Sequence, residues 1–201
     1  MVGKISLFIL FTLLFEPAPV KVILFFGDSL TAGYGLSPEE AFPAQVEKSL
    51  QKSGRNVRVV NAGLSGETSA GGLTRVDWIL RQPVDIFILE LGANDGLRGL
   101  PIDQTKKNLQ SIIDKVKAKY PSCKIVLAGM MVPPNMGKEY ASSFQNVFRD
   151  LAKKNNAALI PFLLEHVGGF EKLNQADGIH PNAEGHRIVA SNVLKTIMPL
   201  L

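Results

Sequence analysis

Five short apolar runs, separated by longer amphipathic stretches, constrain the fold of this chain more than any other feature. The runs are VKVILFF (20–26), VRVVNAG (57–63), VDIFILEL (84–91), KIVLAGMMV (124–132) and AALIPFLL (157–164). Each has the length of a β-strand and is apolar along most of that length, which is typical of parallel strands buried on both faces. The alternation therefore predicts a five-stranded parallel sheet.

The stretches between these runs carry apolar residues at helical spacing. One such stripe is Leu109, Ile112, Ile113 and Val116, and similar stripes occur in 73–80, 140–151 and 189–197. The residues Ser37-Pro38-Glu39-Glu40 have the form of a capping box with proline at the first helical position, and they predict a helix from there to Lys52. Helices on both faces of the sheet, joined by right-handed crossovers, make a three-layer α/β/α domain.

With 201 residues, 46% of them hydrophobic, the chain is long enough for one well-buried core. We assign a single domain to residues 20–201 and treat residues 1–19 separately. In that segment Lys4 precedes an apolar run from Ile5 to Phe15, which suits a signal peptide and is shorter than the roughly 20 residues of a membrane span. The expected location is periplasmic or secreted. The cleavage site is weak, because Glu16 rather than another small residue stands two positions before Ala18, so an uncleaved membrane anchor stays as the alternative.

The charges exclude some partners and the cysteine content excludes some sites. The 22 basic and 18 acidic residues leave a net charge of +4, and they are interspersed without a polybasic block, which disfavours a nucleic-acid partner. Cys123 is the only cysteine, so neither an intramolecular disulfide nor a cysteine-rich metal site can form. We expect a buried thiol there.

Polar residues follow the predicted strands at the edge where open α/β sheets bind their ligands. Ser29 follows the first strand, Gly63 ends the second and Asn94 follows the third. Asp177 and His180 lie in the segment NQADGIHPNAEGH that precedes the last helix. We expect these five residues to converge on one edge of the sheet.

Together these residue types suit attack on a carbonyl group. A serine hydroxyl becomes a good nucleophile when a histidine takes its proton, and a carboxylate three residues before that histidine can hold the imidazole in the correct tautomer. Ser29, His180 and Asp177 could fill these three roles. The backbone N–H groups of Ser29 and Gly63 and the side-chain amide of Asn94 could donate to the oxyanion that develops.

Several of these residues also have simpler interpretations. The tripeptide Gly27-Asp28-Ser29 alone could be a turn or a helix N-cap. Glu90 lies in an apolar strand, where we expect it to have a structural hydrogen-bond partner. The remaining polar residues are expected in structural positions: Asp28 and Asp95 bonded to local backbone, His166 at the surface or a helix end, His186 on the last helix and Asn182 as its N-cap.

The stretches FGDSLTAGYG, NAGLSGETSAGG, LGANDGLRG and DGIHPNAEGH, in this order and after these strands, resemble the SGNH (GDSL-type) hydrolases. The four letters correspond here to Ser29, Gly63, Asn94 and His180. Within that family the chain is most similar to the bacterial arylesterase, lysophospholipase and acyl-CoA thioesterase I subgroup. The resemblance covers nearly everything after the N-terminal segment.

The resemblance implies a flavodoxin-like arrangement of the sheet and a serine esterase without metal or cofactor. It also implies that Ser29 is the nucleophile, His180 the base and Asp177 its partner, with Ser29, Gly63 and Asn94 at the oxyanion hole. An α/β-hydrolase is a poorer match, because Thr31 occupies the second glycine position of the G-x-S-x-G elbow.

The resemblance further implies small acyl esters, thioesters or lysophospholipids as substrates, the last of them derived from membrane lipid. Segments after Asn94 and around MMVPPNMG border the acyl pocket in such enzymes, and the apolar residues there are Leu97, Met130, Met131, Val132 and Pro133. Core packing accounts for these five residues equally well.

Two other functions stay open on the sequence. A carbohydrate deacetylase would share the family motifs. A non-catalytic flavodoxin-like module could bind an anionic ligand at the strand ends, but it would leave Asp177 and His180 without a role.

Overall fold

The computed structural model describes residues 19–201, and there each of the five apolar runs contains a strand. The strands are β1 (Lys21–Gly27), β2 (Val57–Gly63), β3 (Ile86–Glu90), β4 (Lys124–Ala128) and β5 (Ala158–Ile160). The helices are α1 (Ser29–Ala32), α2 (Phe42–Lys52), α3 (Ser69–Ile79), α4 (Ala93–Leu97), α5 (Ile102–Lys119), α6 (Lys138–Asn155) and α7 (Ala183–Ile197), with short 3₁₀ helices at Pro134–Met136, Glu171–Leu173 and Met198–Leu200.

All five strands are parallel and lie in the order β2-β1-β3-β4-β5. This order and the helices on both faces confirm the predicted flavodoxin-like α/β/α fold. The strand order reverses between β1 and β3, and the register places Gly27 opposite both Gly63 and Glu90. Ser29, Gly63 and Asn94 therefore lie around the switch point, where ligands bind in such sheets.

Alternating side chains of β1 point into the two halves of the core. Phe25 packs edge-on against Phe42 of α2, with ring centroids 5.4 Å apart, on the face that α2 and α7 cover. Phe26 lies 5.6 Å from Phe87 on the other face, which α3, α5 and α6 cover. The prediction of strands buried on both faces is correct for β1 and β3 but wrong for β2, because β2 is an edge strand and Arg58 in it is exposed.

The predicted start of the first long helix is wrong by several residues. Ser37–Glu40 forms a separate turn, in which the Glu40 carboxylate accepts from the Ser37 N–H at 3.2 Å and from the Ser37 hydroxyl at 2.9 Å. Helix α2 starts at Phe42, whose N–H donates to Nδ1 of His186 on α7 at 3.0 Å. The start of α2 is therefore set by a contact between residues 144 positions apart in the chain. The capping pattern of Ser37–Glu40 stabilises only the turn that precedes the helix.

The ends of the other strands agree with local chemistry. β5 stops at Ile160, because Pro161 has no N–H to donate to the sheet. Of the predicted signal or anchor segment, 1–19, only Pro19 belongs to the described residues. Across 19–201 no helix combines the length and the apolar character needed to cross a membrane.

Candidate active site

Ser29 is held where β1 turns directly into the short helix α1. β1 ends at Gly27 and Ser29 is the first residue of α1, while Oδ1 of Asp28 accepts from the Leu30 N–H at 3.0 Å as an N-cap. A Cβ atom on Gly27 would overlap Oγ1 of Thr31 and the Glu90 carboxylate. Only glycine therefore allows the chain to leave the sheet this tightly.

The side chains of Ser29, His180 and Asp177 form one hydrogen-bonded row. Nε2 of His180 lies 2.9 Å from Oγ of Ser29, and Nδ1 of the same ring lies 2.7 Å from Oδ2 of Asp177. Oδ1 of Asp177 also accepts from the backbone N–H groups of His180 and Ile179, at 3.0 and 2.9 Å. Donation from the His180 N–H and ring, and then from Ile179, lowers the pKa of Asp177 to about 2.

An ionised Asp177 keeps the proton of His180 on Nδ1. The lone pair on Nε2 then faces the Ser29 hydroxyl, so the ring can take the hydroxyl proton. The structure thus brings together the three residues that the sequence predicts as nucleophile, base and partner of the base.

Gln175 joins the two loops that carry these residues, and sequence reasoning missed it. Its side-chain amide donates to the carbonyls of Tyr34 and Pro181, at 2.7 and 3.0 Å, and its backbone N–H donates to the carbonyl of His180 at 2.7 Å. The ring of Tyr34 lies 4.6 Å from the ring of His180. The only signal in the sequence was the position of Gln175 inside the NQADGIHPN stretch.

The backbone N–H groups of Ser29 and Gly63 differ in availability. Ser29 starts a helix, so its N–H has no acceptor within that helix. The N–H of Gly63 donates to Oδ1 of Asn61 at 3.0 Å, and Nδ2 of Asn61 donates to the carbonyl of Thr31 at 2.8 Å. Asn61 is a second residue that sequence reasoning missed, and it competes for the Gly63 donor.

The side-chain amide of Asn94 also has internal acceptors. Its Nδ2 donates to Oδ2 of Asp28 at 3.1 Å and to the carbonyl of Glu67 at 3.0 Å. Both amide hydrogens are thus engaged, and the amide is held at the end of β3 beside Asp28. The predicted donors come from the ends of β1, β2 and β3, as expected, but only that of Ser29 is uncommitted.

Two hydrogen-bonded networks lie beside Asn94, one around Glu67 and one around Asp95. The guanidinium of Arg75 pairs with Glu67 at 2.8 Å and donates to the carbonyl of Ala62 at 3.0 Å. Asp95 accepts from the N–H of Ser69 at 2.8 Å and also from its hydroxyl. The expectation that Asp95 bonds only local backbone is wrong, because its partners belong to α3 and α5.

Two buried carboxyl groups lie beneath Ser29. Glu90 is fully buried, and its Oε2 accepts from the Asp28 N–H at 3.1 Å and from the Thr31 hydroxyl at 2.7 Å, which confirms the expected hydrogen-bond partner. Asp28 is buried too and reaches beyond its local backbone to Asn94, so the local expectation is wrong for it as well.

Desolvation shifts the pKa of both acids upward. Burial raises the pKa of Asp28 to about 6, and burial together with the charge of Asp28 raises the pKa of Glu90 well above its usual range. Burial thus favours the neutral form of both carboxyl groups, and most of all that of the fully buried Glu90. A neutral Glu90 also fits its Oε1, which has no hydrogen-bond partner among residues 19–201 and would be costly to bury as part of an anion.

A sequence model of the GDSL-like Lipase/Acylhydrolase family matches residues 25–188 of the chain. The chain belongs to this family. It is 40% identical to the Esterase TesA of Pseudomonas aeruginosa over 190 residues, which cover 94% of both chains. It is 37% identical to the Thioesterase 1/protease 1/lysophospholipase L1 of Escherichia coli K12, over 94% of this chain and 89% of that protein. A crystal structure of TesA superposes with a TM-score of 0.86 at 41% identity, covering 90% of this chain and 100% of that one.

The family match and these relatives show that the chain is a carboxylic ester hydrolase. They confirm the resemblance drawn from the four motifs.

The five residues predicted to line the acyl pocket of this hydrolase differ in their exposure to solvent. Met130 and Val132 are buried in the hydrophobic core, which fits the alternative of core packing, and their contact with an acyl chain stays a prediction. Leu97, Met131 and Pro133 are exposed, and their contact with substrate stays a prediction.

Further large apolar side chains are exposed on the loops that follow the strands of the hydrolase. Besides Leu97 and Met131 they are Tyr34, Leu64, Leu100, Phe170 and Ile179. All five strand-end loops contribute at least one of them. Because the carboxyl ends of parallel strands lie at one edge, these side chains surround the end of the sheet where Ser29 lies.

The other residues singled out in the sequence have structural positions. Oδ1 of Asn182 accepts from the N–H groups of Glu184 and Gly185, which confirms it as the N-cap of α7. His186 lies on α7 and is buried, whereas His166 is exposed. Cys123 is buried, and burial raises the pKa of its thiol to about 11. Within residues 19–201 no three His, Cys, Asp or Glu side chains cluster as a metal site would require.

Proposed function

We propose that the protein is a serine esterase in which Ser29 carries the acyl group, His180 moves the proton and Asp177 orients His180. The observation that carries this proposal is the continuous row from Asp177 Oδ2 through the imidazole to Ser29 Oγ, with distances of 2.7 and 2.9 Å. The order of atoms in this row is the one that a base-activated serine needs.

The two half-reactions use the same residues. Oγ of Ser29 attacks the substrate carbonyl carbon while its proton passes to Nε2 of His180, and the proton then passes to the departing alkoxide or thiolate. In the second half water attacks the acyl carbon while its proton passes to Nε2 of His180. His180 then returns that proton to Oγ of Ser29 as the bond between Oγ and the acyl carbon breaks, and the acid is released. Asp177 stays ionised throughout and stabilises the imidazolium.

The oxyanion is stabilised by the N–H groups of Ser29 and Gly63 and by the amide of Asn94. Because Gly63 and Asn94 donate to internal acceptors, we infer that the substrate oxygen replaces Asn61 Oδ1 on Gly63 and one of the two acceptors of Asn94. An oxyanion binds such donors more strongly than a neutral oxygen does, so the exchange favours the transition state over the ground state.

The substrates proposed are small acyl esters and acyl thioesters, including lysophospholipids. The names of the two relatives cover esterase, thioesterase and lysophospholipase activity, and one acyl-enzyme route serves all three. The exposed apolar side chains around Ser29, with Leu97 and Met131 among them, support an acyl chain as the group bound beside the reacting carbonyl.

We also propose that residues 1–19 export the protein to the periplasm or the medium, or else anchor it. Amino-terminal sequencing of the protein from both the periplasmic and the membrane fraction would separate the two, since cleavage of a signal peptide leaves a new amino terminus and an anchor keeps residues 1–19.

The test of the proposed mechanism is Ser29→Ala in side-by-side assays with aryl esters, acyl-CoAs, lysophospholipids and an acetylated sugar. We expect turnover of the first three to vanish in the variant, and wild-type protein to favour acyl chains over the acetylated sugar. Wild-type rates for Ser29→Ala on p-nitrophenyl acetate and butyrate would refute the nucleophile. A preference for the acetylated sugar would favour a carbohydrate deacetylase instead.

A further inference from the structure

A second apolar groove lies away from the Ser29 site, between the edge strand β2 and the end of α3. Its volume is about 400 Å³. The floor is apolar and the rim carries two arginines and the only tryptophan of the chain. The residues of this Trp78 groove are Val22, Leu24, Arg58, Val60, Trp78, Ile79, Arg81, Gln82, Pro83 and Val84.

The groove exists because an edge strand is only partly covered by its neighbouring helix. In the register of the sheet Val22 lies opposite Arg58 and Leu24 opposite Val60, so these four side chains share one face. Helix α3 covers that face and ends at Ile79. Val22, Val60 and Ile79 are therefore only partly covered beside the last turn of α3, whereas Leu24 and Val84 are buried.

Trp78 and the two arginines make this rim unlike an ordinary surface. Trp78 is 60% exposed, although its ring is among the side chains that gain most from burial. The guanidinium of Arg81 lies 5.7 Å from the Trp78 ring centroid, and Arg58 makes only a long contact of 3.4 Å with the Gln82 side chain. In the described part of the chain neither arginine has a carboxylate within ion-pair distance.

The acidic residues nearby already have other partners. Asp85, next to Val84, accepts from the N–H of Val22 at 2.7 Å. Asp77, next to Trp78, pairs with Lys115 at 2.6 Å. Asp85 keeps its charge, but among residues 19–201 neither Asp85 nor Asp77 forms an ion pair with Arg58 or Arg81, so the groove combines an apolar floor with two guanidinium groups that have no carboxylate partner. That combination is complementary to an anion with an aliphatic tail.

We propose that the Trp78 groove binds a single-chain aliphatic carboxylate. The tail lies on Val22, Val60 and Ile79, and the carboxylate accepts from Arg58 and Arg81, whose planar guanidinium groups match carboxylate geometry. A groove of this size and mostly apolar lining is in the range of small-molecule sites. The site is separate from the catalytic one, since Leu24 lies three residues, roughly 10 Å, before the end of β1 at Gly27, and Ser29 lies beyond that end.

This inference is independent of the proposed function, because none of the groove residues belongs to the Ser29 site. A carboxylate is nevertheless the product class of an ester hydrolase, so the ligand would be present wherever the enzyme works.

The single tryptophan makes the site directly observable. We would titrate full-length Ser29→Ala protein with sodium decanoate below its micellar concentration and follow the emission of Trp78, with calorimetry on the same samples. We expect a saturable change in emission. Decanol should bind at least roughly tenfold more weakly, since it offers no charge-assisted hydrogen bond to the arginines. Acetate should give no change.

Matched substitutions locate the site. Arg58→Gln and Arg81→Gln should each weaken decanoate binding by roughly tenfold or more, as expected for loss of a charged hydrogen bond. Arg187→Gln is the control, because Arg187 is an exposed arginine on α7 outside the groove. Non-saturable emission, equal affinity for decanol and decanoate, or unchanged calorimetric affinity in both groove variants would each overturn the proposal.

Discussion

The side-chain amide of Gln175 donates to the carbonyl of Tyr34 at 2.7 Å and thereby ties the His180 loop to the chain that follows Ser29. The same amide donates to the carbonyl of Pro181 at 3.0 Å, directly after His180. Residues 141 positions apart in the chain are thus joined beside the reacting atoms. Gln175 is a positioning residue, because it acts through His180 and Ser29 rather than on the substrate.

We expect Gln175→Glu to lower kcat by roughly ten- to a hundredfold with little change in KM. The carboxylate keeps the shape but cannot donate to either carbonyl, and small displacements of catalytic groups cost rates of this order. The rate of covalent labelling by a fluorophosphonate should fall in parallel, because it also depends on the contact between His180 and Ser29. Gln110→Glu is the control, since Gln110 makes side-chain hydrogen bonds on α5 far from the site. Labelling at the wild-type rate would reduce Gln175 to a surface contact.

Asn94→Ala should lower kcat by on the order of a hundredfold or more if its amide serves the oxyanion. The loss should appear in kcat rather than in KM, because a charged oxyanion forms only as the reaction proceeds. Steady-state kinetics on one aryl ester measures it, and thermal unfolding checks that the buried contacts with Asp28 and Glu67 are not the cause. An unchanged kcat would leave Asn94 as a structural residue at the end of β3.

Asp177→Asn should lower kcat by on the order of a thousandfold or more without unfolding the domain. Oδ1 of the asparagine can still accept from the N–H groups of Ile179 and His180, so the loop keeps its form. Its NH₂ group, however, would face Nδ1 of His180 and favour the tautomer with the proton on Nε2. Circular dichroism and kinetics on the same sample separate the two effects, and a normal rate would indicate a Ser29–His180 pair that works alone.

Glu90→Gln should be tolerated, whereas Glu90→Ala should not. A glutamine oxygen can accept from the Asp28 N–H and the Thr31 hydroxyl as the neutral acid does, but alanine leaves both donors buried and unpaired, at about 1–3 kcal/mol each. Since the folded pKa of Glu90 is raised, the folded state binds more protons, and wild-type stability should fall as pH rises above the unfolded pKa. Glu90→Gln should lack that fall in denaturant unfolding. Equal damage from Gln and Ala would mean that Glu90 is needed as an anion.

Most of the fold can be predicted from the sequence, because the patterns that indicate strands and helices are local. Each apolar run contains a strand, and residues that directly follow strands had to meet at one edge of a parallel sheet. The position of Ser29, of Asn94 and of the loop with Asp177 and His180 at this edge therefore follows from the sequence alone. The four motifs then indicated the family, which the comparison with known proteins shows.

What the sequence missed depends on contacts between distant segments. The partners of Gln175 and Asp95 lie on other elements, and the start of α2 depends on an imidazole of α7. Met130 and Val132 look the same in the sequence as exposed Met131, and only the direction of each side chain separates core from surface. The bond from the Gly63 N–H to Asn61 is the exception, because it spans only two residues and is a local turn of the kind that asparagine commonly forms.

His186 should make the fold sensitive to mild acid. Its Nδ1 accepts from the Phe42 N–H at the start of α2, so protonation there removes the bond and buries a charge. Burial, and after it the nearby charge of His180, lower the pKa of His186 from 6.5 to about 4, although Glu40 opposes the shift. The unfolded state thus binds more protons than the folded state between these values. The contribution of neutral His186 to the free energy of unfolding is fully present above pH 6.5. It is lost as the pH falls toward 4, and the loss is on the order of 3 kcal/mol.

His186→Asn tests this, because the Oδ1 of asparagine can accept from the Phe42 N–H without titrating. The free energy of unfolding of the wild type, measured in denaturant from pH 7 to pH 4, should fall relative to that of the variant. The difference between the two proteins is the informative quantity, since Asp28 titrates in the same range with the opposite sign: its raised pKa adds stability as pH falls below about 6. Parallel curves for the two proteins would mean that α2 does not depend on the neutral imidazole.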